Sequence, residues 1–273
     1  MGDLLINKKD YTYLKWSKTR SSSGTAGSFL KATIIKNGKK VYYKLSNYNL
    51  KDGIIGHECV NEIIVSRLLD VLDIGHLAYR LLFGSINVDG REIETYFAES
   101  ESFLSKGDRK ITLEDYYELE CKESESIESF IKRKRLKKNI DLMLLVDYLI
   151  LNRDRHGANV ELIRTQDGKT KMAPLFDHGV SLLFNCKNER EIEEYDVLED
   201  KKVQSFIGSN SAKENLRLID TKLKINKLEK KDKEYILDGM DLILGEKHCE
   251  KIWNMIWQRW KMAEKFLSRK GVL

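Results

Sequence analysis

Residues 152–179 read NRDRHGANVELIRTQDGKTKMAPLFDHG. Asp167-Gly168 separates two arms rich in apolar residues. Asp-Gly tolerates the positive φ angles of a type I′ turn, so the stretch predicts a β-hairpin with a two-residue loop. In that register Gln166 faces Lys169, Asn159 faces Phe176, and Asp177 follows directly, beside Asn159. Asp154 enters the same place from the loop before the first arm. The lone proline, Pro174, then faces Glu161 at a non-hydrogen-bonded pair, where its missing N–H is not needed. Two acids and an amide are thus expected to meet at the open end of one hairpin.

Such a set suits a hard cation. Mg²⁺ takes oxygen ligands, keeps several waters, and uses one or two carboxylates together with substrate phosphates. Phosphoryl transfer needs that metal, an amide or carboxylate to hold it, and an acid beside the attacking hydroxyl. Protein kinases space their base and a metal ligand as Asp154 and Asn159 are spaced here, and an acid-x-Gly like Asp177-His178-Gly179 supplies their second metal contact. An Asp-Arg-His triplet alone usually marks a surface ion pair. Joined to Asn159, the hairpin and Asp177, it reads as a catalytic constellation. Arg155 reads as a structural ion pair, and Asp147 and Asn152 as braces of the loop. For His156 two roles stay open, assisting the transfer or holding the loop.

Toward the amino terminus, Asn37-Gly38 separates FLKATIIK from KKVYYKLS, and Asp89-Gly90 separates YRLLFGSINV from REIETYF. Both read as hairpins. Residues 11–17 (YTYLKWS) alternate well enough for a further strand. Residues 57–72 put Val60, Ile63, Ile64, Leu68 and Leu72 on one helical face. Thr112-x-x-Asp115 resembles a capping box opening a helix through about Glu120. Residues 139–151 form a strongly apolar, buried helix, and 211–267 carry helical spacing with Trp253, Ile256, Trp257 and Trp260 as core candidates. Strands come early and helices late, an α+β plan with a boundary near 97–100.

The motif Asn152-x-Asp154-Arg155-His156-x-x-Asn159, followed by Ala173-Pro174-Leu175-Phe176-Asp177, resembles the HipA-type serine/threonine kinases, including their shorter cell-translocating relatives. Phosphatidylinositol kinases share the D-R-H-x-x-N core and an Asp-x-Gly downstream. The resemblance is sharp over 147–179, extends to 19–99, and is weak through the helical tail. It implies a two-lobed protein-kinase-like fold, with a β-rich nucleotide-binding lobe at 1–98 and a mainly helical catalytic lobe at 99–273. It also implies ATP and Mg²⁺ as cofactors and a protein substrate, with Asp154 as the catalytic aspartate and Asn159 and Asp177 as metal ligands. The larger toxin kinases carry an extra amino-terminal subdomain, for which these 273 residues leave no room.

A kinase of this plan needs a cation on the α/β phosphates, held by a helix acid, and a loop over the nucleotide. Lys44 ends the second arm of the first hairpin, and Glu62 falls in the next helix with Glu58 as its rival. Residues 21–28 (SSSGTAGS) occupy the place of the covering loop, where Gly24, Gly27 and Ser28 would approach phosphate. Autophosphorylation of a serine in this loop is a further expectation. Residues 96–99 would form the hinge, with backbone groups as far as Glu99 reading adenine.

Bulk properties exclude other classes. Charged residues make up 33% and apolar residues 41%, a composition that folds a core. No apolar run reaches the length of a membrane span, and the first ten residues lack an apolar signal core. Four scattered cysteines without a C-x-x-C pair point to free thiols and a cytoplasmic setting. The net charge of +5 gathers mostly in residues 132–138 (KRKRLKK). No aromatic residue interrupts that run, so a solvated helix face is the better reading and nucleic acid an unlikely partner. Three alternatives stay open: a lipid or small-molecule kinase, a catalytically silent nucleotide-binding protein, and a nucleic-acid-binding regulator resting on the basic run alone.

Overall fold

Asn37-Gly38 and Asp89-Gly90 each turn the chain with both residues at positive φ, 52° and 75° in the first and 52° and 80° in the second. That is the backbone of a type I′ turn, and it sets the register of the hairpins it closes. The computed structural model describes residues 2–17 and 29–273. The first turn joins β2 (Lys31–Lys36) to β3 (Lys39–Leu45), and the second joins β6 (Tyr79–Val88) to β7 (Arg91–Glu101). With β1 (Leu4–Asp10) they form one sheet in the order β1-β6-β7-β3-β2. Between the hairpins lie the short pair β4 (Tyr48–Asn49) and β5 (Gly53–Ile54) and the helix α1 (Glu58–Val71).

Alternation along these strands makes two cores. Val41, Tyr43 and Leu45 face one side with Leu82, Ile86 and Phe97, closed over by Leu14 and by the rings of Tyr11 and Trp16, both edge-on to Phe97. Leu81 and Ala98 face the other side, where Ile63, Ile64 and Leu68 of α1 are fully buried.

The expectation of a strand at 11–17 fails. The chain turns there, with the Leu14 N–H bonded to Tyr11 O, and only Ser17 bridges to Lys31. The strand lies earlier, in β1, which runs parallel to β6 and shifts register between Leu5 and Lys9. Local alternation in 11–17 reflects Tyr11, Leu14 and Trp16 packing on Phe97 rather than a ladder.

The remaining chain is mostly helical. β8 (Arg109–Thr112) leads into α2 (Leu113–Glu120), where Thr112 Oγ1 accepts from the Asp115 N–H at 3.0 Å as the capping pattern predicted. Then come α3 (Ile127–Arg133), α4 (Lys137–Ile150), β9 (Asp154–Arg155), β10 (Glu161–Arg164), β11 (Thr170–Met172), α5 (Glu189–Glu194) and β12 (Gln204–Ser205). α6 (Ala212–Arg217), α7 (Asp232–Leu237), α8 (Asp241–Leu244) and α9 (Glu246–Arg269) complete it. The long α9 packs on α4 and sends Arg259, fully buried, to the carbonyls of Val197, Tyr148 and Glu199. Arg67 of α1 ties the sheet side to the helices. It donates to Asp3 at 2.6 and 2.8 Å and to the Asp238 carbonyl at 2.7 Å. The basic run is partly neutralised, with Arg133 paired to Glu125, Lys134 to Glu120 and Lys137 to Asp141 and Asp220. No helix among the described residues is long and apolar enough to cross a membrane.

The hairpin of residues 160–173 departs from its predicted register by one residue. β10 pairs with β11 as Leu162↔Met172 and Arg164↔Thr170, so Thr165 rather than Gln166 faces Lys169. The Thr165 N–H donates to Lys169 O and the Gly168 N–H to Thr165 O, leaving only Gly168 of the loop at positive φ (79°). This is a three-residue loop with a left-handed glycine. Thr165 favours it by hydrogen bonding Asp167 and the Lys169 carbonyl. Pro174 therefore does not face Glu161. It lies beyond the end of β11, before Leu175 crosses to bridge His76.

His57, at the amino-terminal end of α1, and His248 of α9 meet edge to face at 4.7 Å, with both Nε2 atoms buried and without a hydrogen-bond partner among the described residues. Burial pushes His57 down to about 3, with His248 adding, and pushes His248 down to about 4. Unfolded histidine protonates near 6.5, so below that pH the unfolded chain binds more protons than the folded one. Stability is then complete above about pH 6.5 and declines as pH falls toward 3. Unfolding free energies from urea melts at pH 7 and pH 5 should differ by roughly 1 kcal/mol or more, and replacing both histidines by Phe and Leu should flatten that slope.

Candidate active site

Residues opposite one another on antiparallel strands share a face, and Lys31 of β2 stands opposite Lys44 of β3. Because Tyr43 and Leu45 enter the far core, Lys44 points to the α1 side. There Nζ donates to Glu62 Oε1 at 2.9 Å and to Asp177 Oδ1, and the Phe29 ring lies 5.0 Å away. The ion pair expected between Lys44 and Glu62 is present. Its rival Glu58 is engaged elsewhere, accepting from the Asn47 N–H at 3.0 Å.

Glu62 is fully buried and spends its other oxygen on the His178 N–H at 2.8 Å. Beside it, Asn61 Nδ2 donates to the carbonyls of Gly179 and Ser181, both at 3.0 Å. α1 thereby holds residues 177–181 by their backbone. A Cβ at Gly179 would meet Glu58 Cβ and O at 3.0 Å and Glu62 Oε1 at 3.3 Å, so any larger residue would press α1 back by a few tenths of an ångström. Asp177 itself has φ 60°, a left-handed backbone that Asp tolerates better than most residues. Its N–H donates to the Tyr79 hydroxyl at 3.3 Å.

Charges are matched to this burial. Burial opposes the Lys44 ammonium, but Asp177 and Glu62 outweigh it and raise the group well above the usual lysine range. Burial would likewise push the Asp177 carboxyl up. Lys44 and then Lys31 outweigh it and hold the acid far below the usual carboxylate range. His178 is pushed well below ordinary histidine by burial, with Arg155 adding, so it stays neutral.

The loop after α4 is organised by Arg155. Leu151 leaves the helix at φ 49°, and β9 pairs parallel with β12, Asp154 opposite Gln204. Arg155 is 2% exposed and donates to Asp147 at 2.9 and 3.0 Å. Its Nη1 also donates to the carbonyls of Asn159 (3.1 Å) and Phe176 (3.0 Å). One guanidinium thus brings together the segments of Asn159 and Asp177, although Asn159 sits in a 3₁₀ turn (Gly157–Asn159) rather than on a strand facing Phe176. Asn152 braces the same loop, donating to Asp147 at 2.9 Å and accepting from the Asp154 N–H at 3.2 Å. Asn159 Nδ2 donates to Asp154 O at 2.8 Å, and His156 Nε2 lies 3.5 Å from Asp154 Oδ1.

These bonds leave Asn159 Oδ1 and Asp177 Oδ2 without a donor among the described residues. An amide oxygen and a carboxylate oxygen fit a hard cation that keeps most of its waters. Among the described residues no three His, Cys, Asp or Glu side chains are grouped to hold a metal.

Glu99 is not at a hinge. β7 runs on to Glu101, and Glu99 pairs with both Tyr43 and Arg80, so its backbone lies inside a central strand. Its buried carboxylate meets Arg80 on the face opposite Lys44. Gly24, Gly27 and Ser28, with the rest of the 21–28 loop, lie outside the described residues. Lys31, Asn61 and Tyr79 escaped the sequence reading. Lys31 was within reach of it, since counting back from Asn37-Gly38 sets Lys31 opposite Lys44.

No protein-family model matches the sequence, and no curated protein matches it. Among solved structures, the crystal structure of the Helicobacter pylori proinflammatory kinase CtkA superposes with a TM-score of 0.63, over 96% of this chain and 98% of that one, at 14% identity. HipA from a Shewanella oneidensis MR-1 toxin–antitoxin complex with HipB and operator DNA overlaps 88% of this chain and 58% of its own, at 15% identity and a TM-score of 0.43. The α+β, kinase-like fold implied by the motif is therefore the fold observed.

Arg155→Leu should strip Asp147 of its counter-charge and two carbonyls of their donor. The expected loss is about 3–5 kcal/mol in urea unfolding, with faster hydrogen exchange through residues 152–160. A change within experimental error would mean the guanidinium does not hold the loop.

Proposed function

We propose that this protein is a Mg-ATP-dependent serine/threonine protein kinase of the HipA type. The observation that carries this reading is Lys44 held between Glu62 of α1 and Asp177, on the sheet face that also bears Lys31. A lysine on the third strand, an acid on the next helix and an acid-x-Gly segment are the parts a kinase assembles around nucleotide phosphates. In this reading residues 1–98 form the nucleotide lobe and 99–273 the catalytic lobe.

Lys44 and Lys31 bind the phosphate oxygens of ATP. Asn159 and Asp177 would hold Mg²⁺, which would offset the negative charge of the phosphates. Asp154 orients the acceptor hydroxyl and accepts its proton, and the neighbouring His156 steadies that carboxylate. Phosphate contact is further assigned to Gly24, Gly27 and Ser28, and autophosphorylation to a serine among residues 21–28. All four cysteines are free thiols, which suits work in the reducing cytoplasm.

With labelled Mg-ATP and casein or a cell lysate as acceptors, wild type should transfer phosphate to serine or threonine. Asp154→Asn, Lys44→Met and Asp177→Ala should each lower transfer by about 10²–10⁴-fold in preparations whose circular dichroism matches wild type. Intact-mass analysis should locate added phosphate in the 21–28 peptide. Full turnover by Asp154→Asn would overturn the assignment of roles.

A further inference from the structure

Arg153, directly before Asp154, is fixed at two points. Its N–H donates to Val180 O at 2.9 Å, and its Nε donates to the Lys202 carbonyl. Anchoring through Nε leaves the two Nη groups as a planar fork, the geometry that binds carboxylate or phosphate through two parallel hydrogen bonds. Arg153 lines a cleft of about 440 Å³ together with Lys202, Val203, Gln204 and Asn210. Its polar walls are two cations and two amides, with no acid. Neither Arg153 nor Lys202 has a carboxylate at ion-pair distance among the described residues. The exposed Gln204 is the register partner of Asp154, so the cleft opens beside the aspartate proposed to receive the acceptor hydroxyl.

We infer that this cleft binds an anionic side chain flanking the acceptor serine or threonine, so that the enzyme selects acidic protein segments. The inference rests on the kinase reading and names the substrate class of the same site. An extended peptide advances about 3.3 Å per residue, so a carboxylate or phosphate within a few positions of the hydroxyl reaches the Arg153 fork. Lys202 adds a second cation, and the amides of Gln204 and Asn210 donate to the remaining oxygens. Two cations in a confined cleft match one or two anionic side chains, not the extended basic track along which a nucleic-acid backbone lies. Val203 is the one apolar residue in the lining.

The test compares serine peptides that differ only in flanking residues: glutamate, phosphoserine, alanine or lysine. Wild type should favour the two anionic series by about tenfold in kcat/KM, through KM, with the preference shrinking as salt rises. Lys202→Glu should abolish or invert that ratio, and Arg153→Lys, which keeps charge and loses the fork, should reduce it. Because the preference is a ratio within one preparation, a partial loss of activity does not obscure it. A stronger response to phosphoserine than to glutamate would identify primed substrates as the source of the anion. Equal use of all peptides by wild type, a preference that survives both substitutions, or labelling of phosphatidylinositol vesicles instead of peptides overturns the inference and leaves phosphoryl transfer standing. Absence of ATP-dependent transfer to any acceptor, the protein itself included, overturns the kinase reading from which it proceeds.

Discussion

An ammonium group withdrawn from water needs opposite charge at contact distance, or it sheds its proton. Lys44 finds two such charges, and they come from opposite parts of the chain: Glu62 from the helix packed on the sheet, Asp177 from the segment after the β10–β11 hairpin. The contact therefore does more than neutralise a lysine. It ties β3, α1 and residues 177–181 to one point, and everything around it is arranged to keep that point. Asn61 holds the backbone of the same segment, Gly179 clears space for α1, and Tyr79 accepts from Asp177. Removing either acid would leave the lysine short of charge in a dry setting, which is why buried pairs are costly to break.

Arg155 repeats the arrangement on the helical side. Its guanidinium takes a carboxylate from α4 and carbonyls from two loops, so the residues bearing Asp154, Asn159 and Asp177 share one donor. The two cations divide the labour. Lys44 meets the oxygen-rich segment from the sheet, and Arg155 meets it from the helices, so Asp177 is positioned from both sides. Arg259 and Arg67 do comparable work farther out, satisfying the carbonyls of Tyr148 in α4 and of Asp238 just beyond α7.

Much of this was legible in the residues. Asn-Gly and Asp-Gly announced the two sheet hairpins, helical periodicity marked α1 and α4, and the order of Lys44 and Glu62 anticipated their pairing. What was not legible had physical causes. Asp167-Gly168 misled by one residue because Thr165, through its hydroxyl, closes a wider loop. β1 escaped because its partner, β6, is distant and parallel, and the last four residues of LLINKKD are exposed, three of them charged. Glu99 was misplaced because nothing in TYFAESE breaks a strand, and the ladder simply continues to Glu101. The clamp at Asn61 leaves no trace at all in a lone chain, since it depends on backbone carbonyls whose owners are far away.

Asp177 carries a last consequence. Its torsion angle shuts out branched and bulky side chains, while its neighbours demand a short, negatively charged one. Glycine and asparagine satisfy the first requirement and fail the second; glutamate offers the charge on a longer arm with a less forgiving main chain. Steric and electrostatic filters acting on one codon leave a single acceptable letter, so drift at this site should be far narrower than burial alone would dictate.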